Sequence, residues 1–315
     1  MSIAVTALPT PLARPVPVRG DALGMASVLM AAVCFASIGT LTPLALGAGM
    51  SLWAFTVARA GIGALFLFGA VAILIARGAS WTSLRALPRR TKIALLAATL
   101  ANGVLNIALL AAYGELAAAF AVAGFYTYPA LVALISAALG RERLTRVRVS
   151  AIALALTGLI VVVLSGLGPD ARFSLLGFGF ALLAAFSQTV YLLVAHDYTE
   201  VPAEQGTAVV LAGGAGIAVL FALASGGGAG LVTWTAHPAA WPFALAAGLL
   251  AAGIPMVLLL RGLRIIGGTR TSVFMLAEPV AVVLIAALVL GQGLAPLQVA
   301  GIGAIVGAGF LCARR

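Results

Sequence analysis

Ten runs of about twenty mostly apolar residues, parted by short polar gaps, fix what this chain can fold into. A helix rises only ~1.5 Å per residue, so about twenty apolar residues are what it needs to cross the hydrocarbon core. The runs fall near residues 24–46, 52–76, 93–112, 116–139, 148–167, 174–194, 206–225, 241–260, 270–290 and 294–312. They are continuous, whereas the strands of a membrane barrel would alternate. With 63% of its residues hydrophobic and 8% charged, the chain cannot cover a water-facing surface; a soluble domain carries about 25% charged residues. The expected fold is an all-α membrane protein of about ten transmembrane helices, with the lipid bilayer as solvent.

A net charge of +10 raises the question of nucleic acid. The basic residues sit in the gaps between apolar runs, where they set membrane orientation instead. With the N-terminus inside, the inner segments hold Arg14 and Arg19; Arg77, Arg85, Arg89, Arg90 and Lys92; Arg141, Arg143, Arg146 and Arg148; Arg261, Arg264 and Arg270; Arg314 and Arg315. That is sixteen of eighteen, leaving Arg172 outside and Arg59 within a span. The expectation is a multi-pass protein of the inner (plasma) membrane with both termini cytoplasmic and no nucleic-acid partner. Trp53, Trp234 and Trp241 fall at outer ends, as interfacial tryptophans do. Residues 1–22, with Pro9, Pro11, Pro15 and Pro17, read as a disordered cytosolic tail.

Several chemistries find no support. Cys34 and Cys312 lie in apolar runs without CxxC or Cys/His spacing, so no metal is expected. There is no GxxxxGK[ST] motif for a nucleotide, and no cofactor is expected. His196 and His237 lie in loops on opposite sides, and the glycines of 226–230 read as a flexible connector.

Displacing the sequence by 150 positions superposes its halves. Ser37 lands on Ser187, Pro129 on Pro279, Leu134 on Leu284, Ile135 on Ile285, Ala137 on Ala287, and Leu144, Val149 and Ile152 on Leu294, Val299 and Ile302. The expected organisation is a five-helix repeat over 23–168 and a second over 169–315. Five is odd, so the second repeat must enter the membrane from the opposite side, an architecture shared by many secondary transporters.

The third run carries Thr99, Asn102, Asn106 and Tyr113 at helical steps on one face. An amide facing lipid is costly, so the stripe faces protein or water. It reads as cavity lining, against a bland alternative of interhelical hydrogen bonds worth about 0.6 kcal/mol each. Tyr126 and Tyr128 precede Pro129, and Pro279 repeats that helix break. Both breaks fall near mid-membrane, where carrier sites cluster. Ser187, Gln188 and Tyr191 add polar groups in the sixth run. Arg59 and Glu278 are the charges deepest within spans. Arg59 is expected to pair with Glu115 as a structural or gating contact. Glu278, beside Pro279, is a candidate for substrate contact or for coupling through a proton it loads and releases.

The segments Phe274-Met-Leu-Ala-Glu-Pro279 and Leu290-Gly-Gln-Gly-Leu294, with Tyr128-Pro129, Leu139-Gly-Arg-Glu142-Arg-Leu-Thr145 and Arg59, resemble EamA-type repeats of the drug/metabolite transporter superfamily. Gln292 departs from the pattern, standing where the second repeat usually carries Glu, as Glu142 does in the first. The resemblance implies a ten-helix carrier with a central cavity that often exports amino acids or related metabolites.

The function expected is therefore secondary transport of a small-molecule substrate, by export through a central cavity with alternating access. An integral-membrane enzyme would show clustered Asp or His at a membrane face, and this chain has none. A non-transporting scaffold would not need a polar stripe at mid-depth or paired proline breaks. The sequence carries no marker of oligomeric state.

Overall fold

The computed structural model describes residues 18–79, 81–142, 144–165, 171–290 and 295–313. Residues 1–17 of the expected tail and Gln292 lie outside the described residues. Ten spans appear among the described residues: α1 (Gly20–Gly47), α2 (Leu52–Ala76), α3 (Arg89–Glu115), α4 (Ala118–Ala138), α5 (Arg146–Leu164), α6 (Leu175–Tyr198), α7 (Ala203–Ala224), α8 (Pro238–Ile266), α9 (Gly268–Ile285) and α10 (Pro296–Ala313). Large apolar side chains point away from the protein, Leu65 with 72% and Leu288 with 85% of their surface exposed. Only lipid accepts such a surface over so many helices.

Helix ends follow local chemistry. The first helix already begins at Val18, inside the stretch expected as a tail. The Ser51, Thr145 and Ser174 hydroxyls cap α2, α5 and α6 by accepting from Ala54, Arg148 and Gly177 backbone N–H groups. Helix α3 runs longer than its apolar run, because Arg89, Arg90 and Lys92 can extend toward water from its first turn.

Spans α4 and α9 are broken in matching places. The first divides into α4a (Ala118–Phe125) and α4b (Tyr128–Ala138); the second divides into α9a (Gly268–Phe274) and α9b (Ala277–Leu290), whose helix continues past the end of the span. Pro129 and Pro279 sit in the first turn of α4b and α9b, where a proline's missing N–H would have no intrahelical partner anyway. The prolines thus start the second half-helices rather than kink continuous ones.

Helix packing repeats across the halves. Helix α5 packs on α10, α2 on α7 and α4b on α9a; α3 packs on α6 and α1 on α8. Exchanging the halves maps these neighbours onto themselves except for the α4b–α9a contact, whose counterpart would be α9b on α4a. Glycine keeps two related crossings tight. A Cβ on Gly63 of α2 would lie 2.9 Å from the Gly248 carbonyl oxygen of α8, and one on Gly214 of α7 would lie 2.5 Å from the Asn102 Oδ1 of α3. Any side chain there would push the helices apart.

Candidate functional site

The polar groups at mid-depth meet where α2, α3, α4, α8 and α9 converge. Arg59 of α2 does not extend outward. Its Nη2 donates to Asn106 Oδ1 at 2.6 Å, and its Nη1 donates to the Ala251 carbonyl at 2.9 Å. Asn106 Nδ2 in turn donates to the Asn102 carbonyl at 2.7 Å. The asparagine's oxygen is thereby turned toward the guanidinium, so α3 presents an acceptor and not a donor. Ala251 is available because α8 carries a π-helical turn over Leu249–Gly253. Such a turn interrupts the regular ladder and changes which carbonyls can face a neighbour, and it often marks a functional position.

Glu278 stands across from this arginine. The Tyr126 side chain interacts with its carboxyl group, and Arg59, Tyr113 and Tyr128 lie within electrostatic reach. Glu278 makes no salt bridge among the described residues and keeps partial exposure, whereas the neighbouring Pro279 is buried. Phe125, Tyr126 and Tyr128 form an aromatic wall beside it, with ring centroids 5.0 to 5.8 Å apart. The site therefore brings a cation and a carboxyl group near each other without a salt bridge among the described residues, with aromatic rings beside the carboxyl group.

Tyr113, 44% exposed, lies toward the face opposite the arginine-rich one. It lines a cavity of about 220 Å³ there with Gly114, Glu115, Leu116, Ala117 and Arg172. On the arginine-rich side of the site, Tyr128, Val132, Leu192 and Leu276 are almost wholly buried.

Not every expected residue joins this cluster. Asn102, Asn106, Tyr113, Tyr126, Tyr128, Arg59 and Glu278 do. Thr99 packs against Gly213 and spends its hydroxyl on the Leu95 carbonyl of its own helix, 2.8 Å away. Ser187 likewise donates to Leu183 at 2.8 Å, and Gln188 is half-buried with no hydrogen bond among the described residues. Tyr191 is turned toward Tyr198 and Arg264 at the arginine-rich end. The expected Arg59–Glu115 pair does not form. Glu115 is the last residue of α3, about 13 Å along the axis from Asn106 at ~1.5 Å per residue, and its partner is Ser174 at 3.4 Å. The Ala251 carbonyl was not foreseen, since a π-helical turn in an Ala-Gly run has no distinctive composition.

The arginine-rich face is crossed by charge pairs between the halves. Asp197 accepts from Arg90 at 2.8 Å and from Arg141 at 3.1 Å, and Arg270 pairs with Asp21 at 3.0 Å. A second cavity of about 330 Å³, lined by Arg90, Ser136, Arg141, Glu142, His196 and Asp197 among others, lies there.

Comparison with known proteins supports the fold. The sequence matches the EamA-like transporter family over residues 22–164 and again over 175–314. A crystal structure of a protein 20% identical in sequence superposes with a TM-score of 0.74, covering 94% of this chain and 99% of the other. At that identity the likeness speaks for the fold. No curated protein matches the sequence. A double family match over nearly the whole chain, on ten membrane-spanning helices, places the protein in the EamA-like transporter family of the drug/metabolite transporter superfamily.

Proposed function

We propose that this secondary transporter exports amino acids or chemically related small zwitterions. The two five-helix repeats, 23–168 and 169–315, would rock about the central site to give alternating access. The observation that carries the reading is the separation of Arg59 from Glu278. A guanidinium held by Asn106 and Ala251, near a carboxyl group with no salt bridge among the described residues, suits a substrate with one charge of each sign. The substrate's carboxylate would face Arg59, its ammonium group would face Glu278 and Tyr126, and its apolar part would lie on the aromatic wall. The basic face would be cytoplasmic, with both termini, in the inner membrane.

Glu278 also suits proton coupling, since it is a half-buried carboxyl group within a span whose charge a substrate or a proton could neutralise. The reading is tested by untargeted metabolite analysis of medium from cells producing the protein or its Arg59→Ala, Glu278→Ala double variant. Accumulation of one or more amino-acid-like zwitterions only with the wild type supports it. Identical media, with both proteins folded in the membrane, would refute it.

A further inference from the structure

Two repeats of one packing pattern should pack equally well toward either face, yet in this structure the half-helices pack differently toward the two. Helix α4b packs against α9a on the arginine-rich side. Their repeat mates on the other side are α9b and α4a, and among the described residues these share no comparably extensive contact. The central site accordingly has a buried layer toward the arginine-rich face, where Tyr128 is 1% and Val132 0% exposed. Toward the opposite face stands the exposed Tyr113.

The ion pairs follow the same asymmetry. Arg90 and Arg141 belong to the first repeat and Asp197 to the second, so the shared carboxylate ties the halves together. Arg141 also donates to the Leu193 carbonyl at 2.7 Å, and Thr91 donates to Glu200 at 3.0 Å beside it. Displacement by 150 positions turns Arg90, Arg141 and Asp197 into Ala240, Gly291 and Gly47. It turns Asp21 and Arg270 into Ala171 and Phe120. The opposite face therefore lacks, in its sequence, every charge needed to form an equivalent closure.

We propose that Asp197, bridging Arg90 and Arg141, is a latch on the arginine-rich face that makes the protein rest with its central site open to the opposite face. The proposal rests on the alternating-access reading. Without the latch, the two repeats would leave the two closures more nearly equal in free energy, and substrate binding would not have to overcome the bias. Both pairs are partly exposed, so each is weak by itself; sharing one carboxylate, they can still shift a near-balanced population severalfold.

The test uses the full chain in lipid nanodiscs, with Cys34 and Cys312 replaced by Ala and one reporter cysteine added. Val132→Cys reports on the closed layer and Ala117→Cys on the opposite mouth. In an Asp197→Asn background, a charged thiol reagent should react about threefold or more faster at position 132 and correspondingly more slowly at 117. Asp197→Glu should keep the slow rate at 132. If Asp197→Asn does not fold, Arg141→Gln replaces it with the same expectation. Reciprocal changes support the latch even if no substrate is transported, a result that would refute the carrier reading alone. Unchanged rates at both positions in a folded variant, or a rise at both, overturn the latch.

Discussion

Arg59 Nη2 lies 2.6 Å from Asn106 Oδ1, so a charge in the second helix is held by an amide in the third, away from the nearest water-facing end. A long basic side chain in a membrane normally extends its head to the interface. Here two acceptors at mid-depth, Asn106 and the Ala251 carbonyl, compensate for leaving it inside.

Removing one acceptor should release the arginine. A hydrogen bond to a charged group contributes about 1.5–3 kcal/mol, or about ten- to hundredfold in affinity. Asn106→Leu is expected to weaken apparent substrate affinity by that range in proteoliposome uptake, with normal yield of folded protein. Unchanged affinity would place Asn106 outside the binding site.

The glycine crossings should tolerate no side chain. Gly214→Val would place carbon into Asn102 Oδ1, and overpacking of this kind costs about 1–3 kcal/mol. A lowered midpoint of thermal unfolding in detergent is the expected readout, together with weaker transport, because Asn102 also orients Asn106. A neighbour with open space, Gly216→Val, should behave as wild type.

Sidedness can be read with an impermeant thiol reagent on intact cells, in a background with Cys34 and Cys312 replaced by Ala. Arg172→Cys should label and Arg146→Cys should not, if the arginine-rich face is cytoplasmic. The reverse pattern would invert the protein in its membrane and with it the direction of export.

Much of this fold was legible because lipid imposes one simple demand. Every span had to be a long apolar helix, and boundaries such as Leu52–Ala76 coincide with the sequence reading. The polar stripe of Asn102 and Asn106 was legible for the same reason, since an amide in lipid needs a partner. What stayed hidden depends on which helices meet. Thr99, Ser187 and Tyr191 share the helical spacing of a cavity face, but the hydroxyls of Thr99 and Ser187 bond their own helices and Tyr191 turns to Tyr198. Asp197 lies in the stretch 195–205, which is acidic and holds no Lys or Arg; its arginines come from two other segments, 56 and 107 positions away.

Glu278 divides binding from coupling. Glu278→Gln keeps shape and hydrogen-bonding capacity but cannot titrate. If the carboxyl group couples transport to protons, the variant should still exchange substrate yet lose acceleration by an imposed pH gradient. Retained acceleration would confine Glu278 to substrate contact.

The carrier account is tested most directly by counterflow in proteoliposomes holding the purified protein. Vesicles loaded with an unlabelled amino-acid mixture should take up labelled amino acid from outside faster and further than unloaded ones. Arg59→Ala, Glu278→Ala protein, reconstituted to the same level, should abolish the difference. Equal uptake by loaded and unloaded wild-type vesicles across a panel of zwitterionic amino acids would contradict the account.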